Sequence, residues 1–210
     1  MTGRSPFCWT VARAFKIMNI YSEAIGPLAA NCYIYNGNII DPGDDVPALL
    51  AFIDSSGVQP EKILLTHGHF DHILGAAELK RRFGCRIGIS EADAPMLHDR
   101  ALCLAEFGSE TPFEPLVPDF YLESCPEYEI IPTPGHTKGS VCIYYNEAKL
   151  LFSGDTLFYH GFGRTDFPGG SMMELVASLR KLFELPYDTT VLPGHGESGI
   201  LGEIKKSYFR

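Results

Sequence analysis

The segment LLTHGHFDHILG, residues 64–75, places three of the chain's seven histidines within six positions. His67, His69 and His72 share this stretch with Asp71, directly after the apolar run KILL. Neutral imidazoles and a carboxylate are ligands that Zn²⁺, iron and Mn²⁺ bind in proteins. The cluster therefore predicts a metal site, and it requires a fold that holds these side chains together at the end of a strand.

Side-chain direction divides this cluster into two pairs. If the chain stays extended just past KILLTH, His67 and His69 point the same way, because side chains of an extended chain alternate with a period of two. Asp71 and His72 follow near the start of the next helix and face a different side. Two ligand pairs with different directions suit two neighbouring metal ions better than one.

Three further segments supply candidate ligands in a similar setting. His136 lies in IIPTPGHTKGS, Asp155 in LLFSGDTLF and His195 in TTVLPGHGES. Each follows an apolar, strand-like run and a turn that contains glycine, and such turns allow close approach of the backbone. Loops that follow buried strands present side chains on a rigid scaffold. We expect these three residues to complete the site.

The remaining pattern predicts strands that alternate with helices, which is typical of an α/β protein. Predicted strands are NIYSEAI, NCYIYN, NII, KILLT, CRIGI, YEIIPT, SVCIYY, KLLFSG and TTVLP. Helices are predicted in DDVPALLAFIDSSG, ILGAAELKRRFG and SMMELVASLRKLFEL, the last opening with a Ser171–Glu174 capping box. The side chains predicted to face the core are Val46, Leu49, Leu50 and Ile53, then Ala76, Leu79 and Phe83, then Met172, Leu175, Leu179 and Leu182.

Composition restricts the function classes. A chain of 210 residues suits one domain, and a formal charge of −9 argues against a nucleic-acid-binding surface. No apolar run approaches the roughly 18 residues of a membrane span. Six widely spaced cysteines without a C-x-x-C pair predict reduced thiols and a cytoplasmic protein. Residues 1–17 carry three basic and no acidic residues; we interpret them as an N-terminal extension, from an upstream start or a weak transit segment, ahead of a domain at 18–210.

The segments THGHFDH, PGHTKGS, SGDTLF and LPGHG, in this order, resemble the metallo-β-lactamase superfamily, and GFGRTDFPGGS resembles its glyoxalase II-like (hydroxyacylglutathione hydrolase-like) branch. The resemblance extends from about Met18 to His195. It implies a single-domain, four-layer αββα sandwich with a dinuclear site at one edge of two sheets. The implied ligands are His67, His69 and His136 for the first ion, Asp71, His72 and His195 for the second, and Asp155 between both.

The same resemblance implies a metal-dependent hydrolase for a small thioester, such as S-D-lactoylglutathione or a related acyl-thiol. A hydroxide shared by two divalent ions would attack the carbonyl carbon. Zinc is the expected metal, with iron or manganese as alternatives. We predict that Asp71 is catalytic, orienting the hydroxide and moving its proton. Arg164 is the candidate to bind a substrate carboxylate, or it pairs with Asp166.

The sequence leaves the roles of three further features open. Tyr159 and Phe162 either form an apolar wall of the substrate site or serve packing. Glyoxalase II enzymes carry a C-terminal helical region, whereas fifteen residues follow His195 here, and Lys205 and Lys206 are candidates to replace its basic patch. Residues 94–120 either cover the substrate or form a surface connection.

The rival enzyme class is a mononuclear iron persulfide dioxygenase, whose metal would use only His67, His136 and Asp155. The retained His195 favours two metal ions instead. A non-catalytic metal-binding module would be expected to have lost ligands, and all seven are present.

Overall fold

In the computed structural model, which describes residues 8–9, 20–107, 109 and 111–208, the strands form two sheets. The first sheet contains β1 (Cys8–Trp9), β2 (Ile20–Ile25), β3 (Ala30–Tyr35), β4 (Asn38–Ile40), β5 (Lys62–Leu64), β6 (Arg86–Ile89) and β7 (Phe120–Tyr121). The second contains β8 (Glu129–Pro132), β9 (Val141–Tyr145), β10 (Leu150–Gly154), β11 (Thr190–Pro193) and β12 (Gly199–Ile200). In both sheets, consecutive strands are neighbours.

The helices are α1 (Val46–Ser56), α2 (Phe70–Ile73), α3 (Ala76–Phe83), α4 (Met172–Leu182) and α5 (Leu201–Tyr208). Four short 3-10 turns cover Ala94–Leu97, Ala105–Phe107, Leu122–Ser124 and Asn146–Ala148. Helix α1 begins at a capping aspartate, since the Asp45 carboxylate accepts a hydrogen bond from the Ala48 N–H. It ends at Gly57, whose φ of +68° is left-handed, a conformation common in the glycine that follows a helix.

Three apolar clusters separate the layers. One lies between the first sheet and α1–α3, one between the two sheets, and one between the second sheet and α4 and α5. Representative members are Leu49, Ile63 and Leu79 in the first, Tyr33, Tyr35 and Phe152 in the second, and Leu175, Val191 and Leu201 in the third. This arrangement is the four-layer αββα sandwich that the resemblance implied.

Strand direction brings the turns of both sheets to a common edge. β4, β5 and β6 are parallel, and so are β10 and β11, so the chain leaves each parallel group at one end. The sheets meet at this edge, where the Val141 N–H donates to the Thr66 carbonyl at 2.9 Å and the Asn31 N–H donates to the Gly194 carbonyl at 2.7 Å. The residues that follow β5, β10 and β11 are therefore neighbours.

All nine predicted strands and the three predicted helices are confirmed. The strands β1, β7 and β12, of two residues each, and helix α5 were not predicted. The four-residue helix α2 was not predicted as a separate element, since Asp71 and His72 were expected at the start of the helix that is α3. Strands this short carry no readable periodicity, because two residues cannot show an alternation.

The predicted helix faces need correction. Met172 is 48% exposed because it lies in the first turn of α4, ahead of the buried face that begins at Leu175. In α1, Phe52 is buried although it was not predicted to face the core, Val46 is only half-buried, and Leu50 packs against the core as predicted. In α3, Phe83 is half-buried against the core.

Two further expectations concern the chain as a whole. The cysteines whose side chains are described are free thiols, namely Cys32, Cys85, Cys103, Cys125 and Cys142. Among the described residues, no helix combines the length and the apolar character needed to cross a bilayer. The predicted boundary at residue 18 lies outside the described residues.

Candidate active site

The end of β5 positions the first four candidate ligands. After Leu64 the chain bends at Thr66 and His67, and it is extended at His69, which has φ −71° and ψ 147° and directly precedes α2. Asp71 and His72 lie in the first turn of α2. His67 and His69 therefore lie in the link between β5 and α2, and the other two lie in a helix. The two predicted pairs form, although the chain bends at His67 and does not stay extended as expected.

The first pair meets His136, which follows β8. Potential ligand atoms of His67, His69 and His136 lie within 4.8 Å of one another. The His69 Nδ1 and His136 Nε2 atoms are 2.8 Å apart. All three side chains are buried. The first predicted group of ligands is thus brought together.

The second pair meets His195, which follows β11. Ligand atoms of Asp71, His72 and His195 also lie within 4.8 Å of one another, and His195 Nε2 is 3.2 Å from Asp71 Oδ2. Asp155 lies between the groups: Oδ1 is 3.5 Å from His72 Nε2, and Oδ2 is 3.6 Å from His136 Nε2. The structure therefore assembles all seven candidate ligands, four from the first sheet's half of the chain and three from the second's.

Hydrogen bonds on the outer ring nitrogens orient the imidazoles. The Nδ1 of His136 donates to the Arg164 carbonyl at 2.7 Å, and the Nδ1 of His195 donates to the Leu28 carbonyl at 3.1 Å. Because a carbonyl oxygen only accepts, these contacts assign the proton to Nδ1 and leave the Nε2 lone pair facing the site. This is the tautomer that metal ligation requires.

Unpartnered buried atoms provide a second test of the fit to a metal ion. The Nε2 of His67 and Oδ1 of Asp155 are buried and make no hydrogen bond to any described residue. Buried polar atoms are ordinarily paired, so orphaned acceptors at a His/Asp cluster suit a bound cation. Gly194 is needed here, since a Cβ would lie 2.2 Å from Asp155 Oδ1. The nitrogen and oxygen donor set fits Zn²⁺, iron or Mn²⁺.

Burial and neighbouring charge separate the pKa values of these groups. Burial, together with nearby imidazoles, lowers the pKa of His67 and lowers that of His69 to about 3, so both are neutral ligands near pH 7. Burial would also lower the pKa of His72, but Asp71, Asp155 and Asp41 raise it to about 10. These carboxylates favour a positive charge at this position, which a divalent cation also supplies.

Asp41 is a functional residue that the sequence analysis missed. It directly follows β4, and its carboxylate accepts hydrogen bonds from the Thr66 N–H at 2.8 Å, from the Thr66 hydroxyl at 2.6 Å and from His72 Nδ1 at 3.1 Å. Its backbone has φ +51°. Both carboxylate oxygens of Asp41 accept these hydrogen bonds. Asp41 therefore orients the His72 ring through Nδ1, the ring nitrogen that does not face the other ligands. The signal was available in NIIDPG, a strand followed by Asp, as in LLFSGD.

A cavity of about 690 Å³ opens onto the two groups. This volume lies in the range of small-molecule sites. Its floor includes ligands from both groups, and its walls carry apolar side chains and one arginine, namely Leu28, Phe70, Leu104, Phe107, Phe158, Arg164 and Phe167. The ring of Phe158 contacts His195, and that of Phe167 contacts His69.

Two predicted substrate contacts lie elsewhere. Tyr159 packs against the core beneath α5 and lies on Gly199. Phe162 faces Tyr208, with the ring centroids 6.3 Å apart. The chain reverses between Phe158 and Gly161, which turns Tyr159 away from the cavity. Phe158 and Phe167 take the wall positions expected of Tyr159 and Phe162.

Arg164 lines the cavity, and it is also held within its own loop. Its guanidinium donates to both carboxylate oxygens of Asp166, at 2.7 and 2.6 Å, and stacks over Phe167 at 3.9 Å. The structure therefore shows that Arg164 pairs with Asp166 and lines the cavity, and binding of a substrate carboxylate stays a prediction.

The basic pair near the C-terminus is turned away from the cavity. Lys205 donates to the Phe183 carbonyl at 2.9 Å, and Lys206 lies over the Tyr187 ring. Neither lysine is among the described residues that line the cavity.

Residues 94–120 contribute to the cavity, as expected of a segment that covers the substrate. Leu104 and Phe107 line it, and the Cys103 carbonyl accepts from the Phe70 N–H at 2.9 Å, which ties this segment to α2. Phe107 is 76% exposed although it faces the cavity. The segment thus forms one wall of the site.

Known proteins share this fold and sequence pattern. Hydroxyacylglutathione hydrolase GloC of Haemophilus influenzae is 34% identical over 205 residues, which cover 90% of this chain and 96% of GloC. The BLEG-1 B3 metallo-β-lactamase superposes with a TM-score of 0.80 at 32% identity, over 89% of this chain and 96% of that one. TTHA1623 in a di-iron-bound form superposes with a TM-score of 0.76 at 33% identity, over 95% and 97%.

The family profile Lactamase_B, described as the metallo-β-lactamase superfamily, matches residues 25–195. This range begins at the end of β2 and ends at His195, so it contains both sheets' contributions to the site. The chain belongs to the metallo-β-lactamase superfamily.

Proposed function

We propose that this metal-dependent hydrolase cleaves small thioesters, with S-D-lactoylglutathione or a related acyl-thiol as substrate. The observation that carries the proposal is the pair of ligand groups with Asp155 between them, on the floor of an open cavity. The name of the similar GloC protein, a hydroxyacylglutathione hydrolase, supports the thioester class.

Seven residues would hold two divalent ions, zinc being the expected metal and iron or manganese the alternatives. The first ion would be bound by His67, His69 and His136, and the second by Asp71, His72 and His195, with Asp155 shared. When bound, such ions supply a Lewis acid for the thioester carbonyl and lower the pKa of water toward neutrality.

Asp71 is the proposed catalytic residue. It faces the cavity. Its Oδ2 lies 3.2 Å from His195 Nε2, and an aspartate carboxyl group, with an ordinary pKa of about 3.9, is ionised at neutral pH. An ionised carboxylate can accept the proton of the attacking water and return it to the departing sulfur as the C–O bond forms and the C–S bond breaks.

The apolar walls and Arg164 would position the substrate. Phe158 and Phe167 flank the two ligand groups, so an acyl or thiol group bound there would lie between aromatic rings. Among the described residues that line the cavity, Arg164 is the only lysine or arginine. A substrate carboxylate bound there would compete with Asp166 for the guanidinium.

A mononuclear iron persulfide dioxygenase is the rival function. Its single ion would need His67, His136 and Asp155 alone, whereas Asp71, His72 and His195 here form a second group with ligand atoms within 4.8 Å. This second group favours two ions. A non-catalytic metal-binding module would not need a substrate-sized cavity that opens onto the ligands, so the cavity favours an enzyme.

The test is hydrolysis of S-D-lactoylglutathione by metal-loaded protein, followed as loss of thioester absorbance, with metal content measured on the same sample. We expect two ions per chain and turnover that His67→Ala abolishes. Asp188→Asn, which removes a surface carboxylate paired with Lys149, is the matched control and should retain turnover.

Protein with two bound ions and no thioesterase activity would refute the proposed substrate class. One iron per chain, with oxygen uptake in the presence of glutathione persulfide, would establish the rival function.

A further inference from the structure

Asp93 is a buried carboxylate that no step of the proposed reaction uses. It lies between β6 and the 3-10 turn at Ala94–Leu97 and is 1% exposed. A buried carboxylate is costly unless hydrogen bonds compensate it, so its partners indicate its purpose.

All three partners of its side chain lie on the two loops that carry the first ligand group. Oδ2 accepts from the Gly68 N–H at 3.1 Å and from the Thr137 hydroxyl at 2.6 Å. Oδ1 accepts from the Gly139 N–H at 2.7 Å. Gly68 lies between His67 and His69, and Thr137 follows His136. One carboxylate thus binds next to each of the three histidines.

Close packing supports the same conclusion. A Cβ on Gly139 would lie 2.5 Å from the Asp93 nitrogen, and a Cβ on Gly68 would lie 2.5 Å from the Cβ of Met96. Thr137 is held in turn, since its N–H donates to the Ser140 hydroxyl at 3.0 Å. Both loops therefore pack closely against the segment that contains Asp93 and Met96, with no space for a side chain at either glycine.

The second ligand group has a different buried carboxylate beside it. Asp41 accepts from His72 and from Thr66, and the Thr66 hydroxyl also contacts His67 Nδ1 at 3.1 Å. Within the described part of the chain, the hydrogen bonds of the Asp93 side chain go to Gly68, Thr137 and Gly139 and not to the second group. The contacts of Asp93 are thus confined to the loops of the first group, whereas those of Asp41 reach His72 directly and His67 through Thr66.

We propose that Asp93 is a positioning residue for the first metal site alone, which it builds by joining the His67–His69 loop to the His136 loop. This inference rests on the proposed metal sites. Loss of a residue that positions ligands typically weakens metal binding by about 10- to 100-fold, and we expect that loss only for the ion bound by these three histidines.

Asp93→Asn is the informative variant. An asparagine side chain has one acceptor oxygen, so in either orientation its NH₂ group faces a backbone N–H, of Gly68 or of Gly139. At least one of the two loop contacts is therefore lost, while the volume of the side chain is unchanged.

Zn²⁺ titration against a chromophoric chelator measures the effect without reference to activity. Asp93→Asn is introduced into two backgrounds. His195→Ala removes a ligand of the second group, and His69→Ala removes a ligand of the first. We expect Zn²⁺ binding to be about 10- to 100-fold weaker in the His195→Ala background and nearly unchanged in the His69→Ala background.

The control is Asp119→Asn. Its carboxylate also accepts from a backbone N–H, that of Ile87 at 2.8 Å, but it contacts neither histidine loop. It should leave Zn²⁺ binding unchanged in both backgrounds. If Asp93→Asn does not fold, Thr137→Val removes the hydroxyl contact at similar volume, and Thr137→Ser restores it.

Equal weakening in both backgrounds would overturn the proposal, because Asp93 would then support the fold as a whole. No weakening in either would overturn it as well. Failure of the unmodified protein to bind Zn²⁺ would instead refute the proposed metal sites, so the two failures are distinguishable.

Discussion

At the scale of single residues, hydrogen bonds to the candidate histidine ligands orient their rings. His136 and His195 are oriented by backbone carbonyls, and His72 by Asp41. Each contact uses Nδ1 and directs Nε2 into the site. Asp71 lines the cavity as His136 and His195 do, but it differs from them because its side chain is a carboxylate, which can accept a proton.

We predict that Asp71→Asn lowers kcat by about 100-fold or more, since a positioned acid or base contributes about 10²- to 10⁴-fold. KM should change by much less, because the apolar walls that bind the substrate remain. Steady-state kinetics on protein with verified metal content checks this. An unchanged kcat would show that Asp71 has no catalytic role.

At the scale of elements, turns and helix ends set the loop positions. Ser171 illustrates this: its hydroxyl accepts from the Glu174 N–H at 3.3 Å to cap α4, while its own N–H donates to the Gly135 carbonyl at 2.8 Å. The start of α4 is therefore tied to the turn that presents His136.

Ser171→Ala should lower the free energy of unfolding by about 1 kcal/mol, the usual cost of losing a capping hydroxyl. Urea unfolding of the metal-free protein measures it. Ser55→Ala serves as the control, because that hydroxyl donates to the Phe52 carbonyl within α1 and caps nothing. Equal effects of both substitutions would argue against the cap.

The segment 94–120 also contributes to the site, because its exposed Phe107 side chain forms part of the cavity wall. We predict that Phe107→Ala raises KM by about tenfold, because a bound substrate no longer buries this ring and about 1.4 kcal/mol corresponds to a factor of ten. kcat and Tm should be unaffected.

Val117→Ala is the matched control for Phe107→Ala. Val117 is 75% exposed in the same segment and does not line the cavity. If Val117→Ala raises KM equally, the effect comes from the mobility or folding of the segment and not from contact with the substrate.

At the scale of the whole molecule, the site lies where two halves of the chain meet. His67, His69, Asp71 and His72 follow a strand of the first sheet, whereas His136, Asp155 and His195 follow strands of the second. An ion held by residues of both sets would join the two sheets. Metal binding is therefore expected to couple to the stability of the whole fold.

Removal of metal by a chelator should lower Tm. A ligand that binds only the folded state stabilises it by about 4 kcal/mol when its free concentration is about a thousandfold above Kd. Differential scanning calorimetry with and without added Zn²⁺ checks the shift, and His195→Ala should show a smaller one. A Tm independent of Zn²⁺ would mean that the ions do not join the halves.

The sequence alone predicted nine of the strands, the three amphipathic helices and the candidate ligands. These features are local: an apolar run, a period of two or 3.6, and a histidine or aspartate just after a strand can all be read within a few residues. The resemblance then implied the four-layer sandwich, which the family match and the superposed structures confirm.

The tertiary structure decided which distant residues support and surround the site. Asp41 lies 31 positions from His72, and Asp93 lies 44 positions from Thr137, so no local pattern indicates either pairing. The reversal after Phe158 decided that this ring, and not Tyr159, faces the cavity. Side-chain direction in a turn depends on the backbone path, and contacts between loops depend on how two sheets pack, so both are fixed only when the whole chain has folded.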